Sequence, residues 1–179
     1  MKLRNKNLKI LKSNHVYSEE MEHDACGVGL VASTEGLKSR KVVEYGIDAL
    51  KAVWHRGAID ADGKTGDGAG IHIEIPKDFF EEKIEVTGHK HDNSELCVGM
   101  IFLPRNDYSA QEQCRTIVES ELTKRNFSIY GWRQVPVDPS VLGEKAEQTR
   151  PEITQVLFTY NDKKVVNKSL EQKLYETRR

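Results

Sequence analysis

The sequence has few cysteines, no long apolar run and no excess of charge of either sign. Its three cysteines, Cys26, Cys97 and Cys114, are too few for a disulfide scaffold, and an odd number is typical of a reducing compartment. No apolar stretch approaches the roughly 20 residues that a membrane helix needs. Lysine and arginine number 27 against 28 acidic residues, whereas a general nucleic-acid binder carries a basic excess. We therefore expect a cytoplasmic protein with neither a nucleic-acid partner nor a membrane partner.

The first 25 residues differ in composition from the rest of the chain. Five basic side chains lie between residues 2 and 12, and four acidic ones follow between residues 19 and 24. The apolar cluster of Leu8, Ile10 and Leu11 is much shorter than the apolar core of a secretory signal, about 7–15 residues. The segment is a solvated tail, or a leader that ends at Ala25 and is removed. A mitochondrial presequence, which is basic and poor in acid, stays open as a third interpretation.

From Cys26 onward the apolar residues follow the periods of a single globular domain. Alternation or short apolar runs predict strands, and spacings of three and four predict helices. The strands are expected at residues 26–32, 71–75, 96–103, 127–135 and 153–160, and the helices at residues 39–53, 78–85, 109–125 and 167–177. This order favours an α+β fold with a mixed, mainly antiparallel sheet on which helices pack.

Cys26 is the first candidate for chemistry. It begins a predicted strand and is followed by Gly27 and Gly29, which let a ligand or another backbone approach closely. The residues alone favour a small core cysteine. A nucleophilic cysteine needs a base, and no histidine stands out as one. The α-amine of Cys26 itself is an alternative base if residues 1–25 are removed, because an α-amine has a pKa of about 7.7–8.0.

Two further stretches follow the predicted first helix. Arg56 offers a planar fork suited to a carboxylate, although a surface arginine near a helix C-terminus is the simpler interpretation. The glycine-rich residues 60–70 then read DADGKTGDGAG. A phosphate loop is rejected because Ala58 stands where its first glycine is required. A calcium loop is rejected because the acidic residues do not match its pattern. What remains is a tight loop with acidic side chains, of the kind that lines a site.

The other candidate ligands and thiols have simpler explanations. His89 and His91 could contact a metal, but only Asp92 lies near them at ligand spacing, so a solvent-exposed loop is favoured. Cys97 and Cys114 fall within a predicted strand and a predicted helix, and we interpret both as structural.

Three motifs, in this order and at these spacings, resemble the start of the large subunit of glutamate synthases. They are DACGVG at residues 24–29, KAVWHRGA at residues 51–58 and DADGKTGDGAG at residues 60–70. The resemblance extends from about Glu22 to the end of the chain. It implies a class II glutamine amidotransferase domain with the N-terminal-nucleophile hydrolase fold, an αββα sandwich of which only the first part is present. It divides the chain into a leader, residues 1–25, and the N-terminal part of the glutaminase domain, residues 26–179.

The resemblance also implies a reaction. Removal of the leader makes Cys26 the first residue, and its thiol attacks the side-chain amide of L-glutamine with its own α-amine as base. A γ-glutamyl thioester forms, ammonia leaves, and water then releases glutamate. Arg56 is similar to the family arginine that holds the substrate. Gly66 and Asp67 lie on a loop that is near the site in the family, and we expect them to bind substrate.

In a complete synthase the ammonia is added reductively to 2-oxoglutarate. The resemblance implies FMN and a 3Fe-4S cluster elsewhere in the large subunit, with FAD and NADPH supplied through a small flavoprotein subunit. No cofactor or metal is expected within this segment itself. NADPH is favoured over ferredoxin as the electron donor.

One departure from the family concerns activity. The family's domain is longer and contains an Asn-Gly pair that stabilises the oxyanion, and no Asn-Gly pair occurs in this sequence. Loss of one oxyanion donor typically costs about 10²–10³ in rate. We therefore expect little or no glutaminase activity from these 179 residues alone. Two alternatives are a non-catalytic glutamine-binding module and a different class II amidotransferase.

Overall fold

The computed structural model describes residues 6, 27–53, 59–66, 68–91, 94–161 and 167–179. It divides into two compact units, Met1–Ala52 and Val53–Arg179. The helices are α1 (Arg40–Ala52), α2 (Lys77–Val86), α3 (Tyr108–Lys124), α4 (Glu144–Thr149) and α5 (Asn167–Arg178), and the strands are β1 (Leu96–Leu103), β2 (Phe127–Gln134) and β3 (Glu152–Tyr160). A short 3₁₀ turn at Pro139–Val141 precedes α4.

In the first unit, helix α1 agrees closely with the predicted helix at residues 39–53. Its half-buried residues, among them Val42, Val43 and Ile47, form the expected apolar stripe. The strand predicted at residues 26–32 is wrong over the described residues 27–32, which have no regular structure. Val28 is 95% exposed. A strand is stable only when a neighbour satisfies its backbone groups, and no strand is described within this first unit.

In the second unit, the three strands form an antiparallel sheet in the order β1-β3-β2. The sheet is antiparallel at both junctions, as the sequence predicts. β3 is central, with Val156 paired to Gly99 on one side and to Trp132 on the other. The central position explains why β3 is the most buried strand, with a continuous run of six buried residues. The edge strands are less buried, with three buried residues in β1 and two in β2.

Each face of the sheet carries its own apolar cluster. One face packs against α3 and α5, and its buried members are Cys97, Leu122, Phe127, Val156, Phe158 and Leu170. The other face packs against α2, and its buried members are Phe80, Ile84, Leu96, Tyr130 and Leu157. Burial of a large apolar side chain stabilises a fold by about 1.5–3 kcal/mol, so the two clusters together hold the sheet between the helices.

The strand predicted at residues 71–75 is also wrong. Residues 70–76 are irregular, and Ile71 and Ile73 are roughly half exposed. Ile75 packs against the α2 cluster, and Pro76 lies directly before α2. Of the alternating isoleucines, Ile75 therefore contacts the core. The segment does not form a strand, because no described strand lies beside it to pair with it.

A bulge interrupts the pairing of β2 with β3. Ile129 pairs with Phe158 and Gly131 with Leu157, so Tyr130 is the extra residue. Gly131 has φ 152°, and a Cβ there would lie 2.9 Å from the Thr87 methyl. The bulge thus places Tyr130 among the residues that pack against α2.

Within the described ranges, none of the helices combines the length and the apolar character that crossing a bilayer requires.

The burial of Cys97 leads to a prediction about thiol reactivity. Burial, and after it the negative charges of Glu95 and Glu171, raise the pKa of the Cys97 thiol to about 12. Cys114 is only partly buried. Because the thiolate is the reactive form, we expect iodoacetamide at pH 8 to label Cys97 at least about a hundredfold more slowly than Cys114 in the folded chain. Site-resolved mass spectrometry measures both rates.

Unfolding in urea is the control, because it should bring the two cysteines to similar rates. Equal labelling of Cys97 and Cys114 in the folded chain would contradict the burial of Cys97 in this core.

Candidate functional site

The structure describes one of the four predicted site residues. Gly66 lies in the described segment 59–66, whereas Cys26, Arg56 and Asp67 lie outside the described residues. Their expected roles as nucleophile and substrate-binding residues therefore stay predictions. The described part of the candidate site is the glycine-rich loop, which we define as residues 59–66.

Backbone hydrogen bonds close the glycine-rich loop into a hairpin. Ile59 and Gly66 form an isolated antiparallel bridge at its base. Inside the bridge, the Asp60 amide donates to the Thr65 carbonyl at 2.7 Å, and the Gly63 amide donates to the Asp60 carbonyl at 2.9 Å. Gly63 has φ 69°, a left-handed conformation that glycine adopts without steric cost. Gly66 is consequently held directly opposite Ile59.

The carboxylate of Asp62 organises the tip of the loop. Its Oδ1 accepts hydrogen bonds from the amides of Lys64 at 2.9 Å and Thr65 at 2.7 Å, and its Oδ2 accepts from the Thr65 hydroxyl at 2.5 Å. These donors lower the pKa of Asp62 to about 2, with the Thr65 hydroxyl as the largest cause. A backbone hydrogen bond from Lys145 contributes in the same direction. Asp62 therefore stays ionised across the physiological range.

The loop contacts the start of α4. The Lys145 Nζ lies 2.6 Å from the Asp60 Oδ2, across 85 positions of sequence. Gly143, the N-cap of α4, lies against Asp62 and Thr65. α4 has no side-chain cap of its own. Sequence reasoning missed Gly143 and Lys145, because no motif marks a contact between segments so far apart.

The same hydrogen bonds also argue against a phosphate loop and a calcium loop, the two motifs that were rejected from the sequence. A phosphate loop needs free backbone amides to surround the anion, but here the amides of Lys64 and Thr65 donate to Asp62. Asp60 is paired with Lys145. Within the described residues, no group of three or more His, Cys, Asp or Glu side chains is arranged to hold a metal ion.

His89 and His91 both pack edge-on against the ring of Tyr130, the bulge residue of β2. His91 Nδ1 lies 3.2 Å from the Tyr130 hydroxyl, and His89 Nδ1 lies 3.0 Å from the Thr87 hydroxyl. The two imidazoles are thus explained by local packing and by neutral hydrogen-bond partners.

Known proteins resemble this chain over most of its length. The model of the family "Glutamine amidotransferases class-II" matches residues 26–179. The chain is 53% identical over 173 residues to the glutamate synthase [NADPH] large chain of Azospirillum brasilense, in an alignment that covers 97% of this chain and 11% of that protein. It is 35% identical over 172 residues to the ferredoxin-dependent glutamate synthase of Pyropia yezoensis, in an alignment that covers 96% of this chain and 11% of that protein.

A third relative is the glutamate synthase [NADH] of Saccharomyces cerevisiae. The identity is 37% over 155 residues, which covers 83% of this chain and 7% of that protein. The chain therefore spans only a small part of the length of the curated relatives that it matches.

The geometry around Asp62 predicts how the loop responds to acid. The pKa of Asp62 is about 2 in the folded chain, below its ordinary value of 3.8. Because the pKa is lower in the folded chain, the ionised carboxylate stabilises the loop fully at pH values above 3.8. This stabilisation is lost as the pH falls through about 2. We expect a ¹³C NMR titration of the Asp62 carboxyl to have its midpoint near pH 2.

Thr65→Val provides the matched test of the cause. It removes the hydroxyl that lowers the pKa of Asp62 most, so the midpoint should rise toward 3.8. A wild-type midpoint at 3.8, or a midpoint that Thr65→Val does not move, would contradict the described loop.

Proposed function

Because the chain belongs to the class II glutamine amidotransferases, whose family model matches residues 26–179, we propose that it hydrolyses L-glutamine as the glutaminase part of a glutamate synthase. The resemblance to glutamate synthases drawn from the three motifs is confirmed by the relatives. The observation that best supports the mechanism is the residue at which the family match begins. The family match begins at Cys26, the residue that the reaction requires as the N-terminal nucleophile.

The proposed reaction has two steps at Cys26. After removal of residues 1–25, the α-amine takes the thiol proton, and the sulfur attacks the side-chain carbonyl carbon of glutamine. The C–N bond breaks, ammonia leaves with the transferred proton, and a γ-glutamyl thioester remains. Water then attacks the thioester, which releases glutamate and restores the thiol. Nucleophile and base belong to one residue, so no histidine is required.

The described thiols do not offer an alternative nucleophile. Cys97 is buried in the cluster beneath α3 and α5, and the pKa of its thiol is raised to about 12. Cys114 lies within helix α3, where its amide nitrogen belongs to a peptide bond and cannot act as a base. A cysteine with a free α-amine is obtained only by cleavage directly before it.

We propose that Arg56, Gly66 and Asp67 bind the glutamine. A guanidinium in the position of Arg56 would pair with the α-carboxylate of the substrate. Gly66 is exposed at the base of the glycine-rich loop, where the absence of a side chain leaves room for a ligand next to the backbone. Asp67 follows directly and supplies a carboxylate that would accept hydrogen bonds from the substrate's α-ammonium group.

The domain combines helices and strands, and we propose that it is the first part of an αββα sandwich. Support comes from the antiparallel sheet with helices on both of its faces. We retain the division into a leader, residues 1–25, and a glutaminase segment, residues 26–179.

In the whole protein we propose that the ammonia is added reductively to 2-oxoglutarate. FMN, a 3Fe-4S cluster and a small subunit with FAD would then serve as the redox partners. NADPH is the proposed donor, because the Azospirillum large chain is the relative with 53% identity, whereas the ferredoxin-dependent and NADH relatives are at 35% and 37%. We assign no residue of this segment to those cofactors.

The test compares glutamate release from glutamine by the full-length synthase polypeptide and by two cysteine variants. Cys26→Ala should reduce turnover at least about a thousandfold, because it removes the nucleophile on which both steps depend. Cys114→Ser is the matched control and should keep wild-type turnover, since Cys114 takes no part in the reaction. Released glutamate and ammonia are measured together.

Two results would contradict the proposal. Turnover by Cys26→Ala within tenfold of wild type would exclude Cys26 as the nucleophile. Glutamine binding without turnover in the unaltered protein would indicate a binding module instead of an enzyme.

A further inference from the structure

We infer that Gly143 and Lys145 are positioning residues for the glutamine-binding loop, holding residues 59–66 against the start of α4 so that Gly66 is placed to contact the substrate. This inference rests on the proposed function for its link to glutamine. Its structural part rests on contacts between two segments that lie about 80 residues apart in the chain.

The first contact depends on the absence of a side chain at Gly143. A Cβ at this position would lie 2.5 Å from the Thr65 nitrogen and closer still to the Asp62 Oδ2 and the Thr65 hydroxyl. Real Cβ atoms are not found this close to backbone atoms, so any larger residue must push the loop away. Gly143 has φ −76°, an ordinary conformation, so glycine is required here for close approach and not for backbone freedom.

The second contact is an ion pair between α4 and the loop. The Lys145 Nζ lies 2.6 Å from the Asp60 Oδ2, although the two residues are 85 positions apart in the sequence. An exposed ion pair contributes only about 0.2–1 kcal/mol, so the pair acts together with the close fit at Gly143.

α4 is in turn linked to the segments that flank two strands of the sheet. Glu147 on α4 forms an ion pair with Arg105, which lies just beyond the end of β1. It also pairs with Arg150 at 2.8 Å. β3 begins at Glu152, three residues after α4 ends. These contacts connect the end of β1 and the start of β3, through α4, with the loop.

The consequence concerns substrate binding more than chemistry. If α4 is lost as a support, Gly66 samples more orientations, and the binding of glutamine must then offset the free-energy cost of ordering it. The nucleophile and its α-amine are proposed to belong to Cys26, which is not part of this loop. Variants at Gly143 and Lys145 should therefore raise KM for glutamine more than they lower kcat.

The experiment uses three variants and a matched control. Gly143→Ala introduces the overlap, Lys145→Met removes the ion pair, and Lys145→Arg keeps the charge. The control is Lys124→Met, which removes a pair of similar geometry within one helix. Lys124 lies 2.7 Å from Glu121, with side-chain exposures of 64% and 34%, against 2.6 Å, 64% and 36% for Lys145 and Asp60.

Two readouts separate the structural part from the functional part. Hydrogen exchange at the amides of Lys64 and Thr65, which donate to Asp62, reports loop docking. Exchange should accelerate about tenfold or more in Gly143→Ala, from overpacking, and about two- to fivefold in Lys145→Met. KM and kcat for glutamine, measured in the full-length synthase polypeptide, report substrate binding. KM should rise in the same order, with Lys145→Arg near wild type and Lys124→Met unchanged in both readouts.

Three outcomes would overturn the inference in distinguishable ways. Unchanged exchange in Gly143→Ala would show that α4 does not support the loop. Faster exchange with an unchanged KM, in protein where Arg56→Ala does raise KM, would refute the positioning role and leave the proposed function intact. Absence of glutamine turnover in the unaltered protein would refute the proposed function itself, whatever the exchange rates show.

Discussion

The pairing of β3 with both of its neighbours is the constraint on which the described second unit depends. β3 is the central strand, and its backbone groups bond to β1 along one edge and to β2 along the other. Because alternate β3 side chains point to opposite faces, Val156 and Phe158 enter one apolar cluster while Leu157 enters the other. The register of a single strand thereby determines which helices cover which face.

The glycine-rich loop is attached to this framework through charge and close contact. α4 leads directly into β3, and its first turn meets Asp60 and Asp62 of the loop. The Asp62 carboxylate accepts hydrogen bonds from the Lys64 and Thr65 amides and so orders the tip of the loop, against which Gly143 at the start of α4 lies. Such an arrangement suits a loop whose neighbouring residues are proposed to bind a zwitterionic amino acid.

Much of the second unit could be predicted from the sequence. The bounds of β1 were predicted exactly as residues 96–103, because a buried apolar run ends there at Pro104. Helix α3 and strand β3 agree within a residue at each end, since their apolar periods are long and their breakers are clear. The bounds of α1 in the first unit also agree with the prediction within a residue at each end.

The two incorrectly predicted strands have a common physical cause. Residues 27–32 and 71–75 have the composition of strands, but a strand forms only with a partner, and local composition does not reveal whether one is present. α4 was missed because its six residues, EKAEQT, contain only one apolar side chain and so show no period. The contacts of Gly143 and Lys145 with the loop were missed for a different reason, since tertiary contacts across 85 positions leave no local signal.

Of the candidate site, sequence reasoning identified the loop but not how it is supported. The DGKTGDGAG stretch indicated a site-lining loop, and the resemblance named Gly66 and Asp67 within it. The family match from residue 26 agrees with the motifs that carried the resemblance. The part played by Asp62 could not be predicted, because an acidic residue in a loop serves equally well as a ligand, a solvated charge or an internal acceptor of hydrogen bonds.

The central claim is that Cys26 acts as an N-terminal nucleophile, and its most direct test is the N-terminus of the mature protein. The measurement is N-terminal sequencing combined with intact mass, on protein purified from its natural host. A polypeptide that begins at Cys26 and is far heavier than the 20.4 kDa of these 179 residues is the predicted result. A polypeptide that still begins at Met1 would contradict the claim, because the α-amine required as base would then lie 25 residues away from the thiol in sequence.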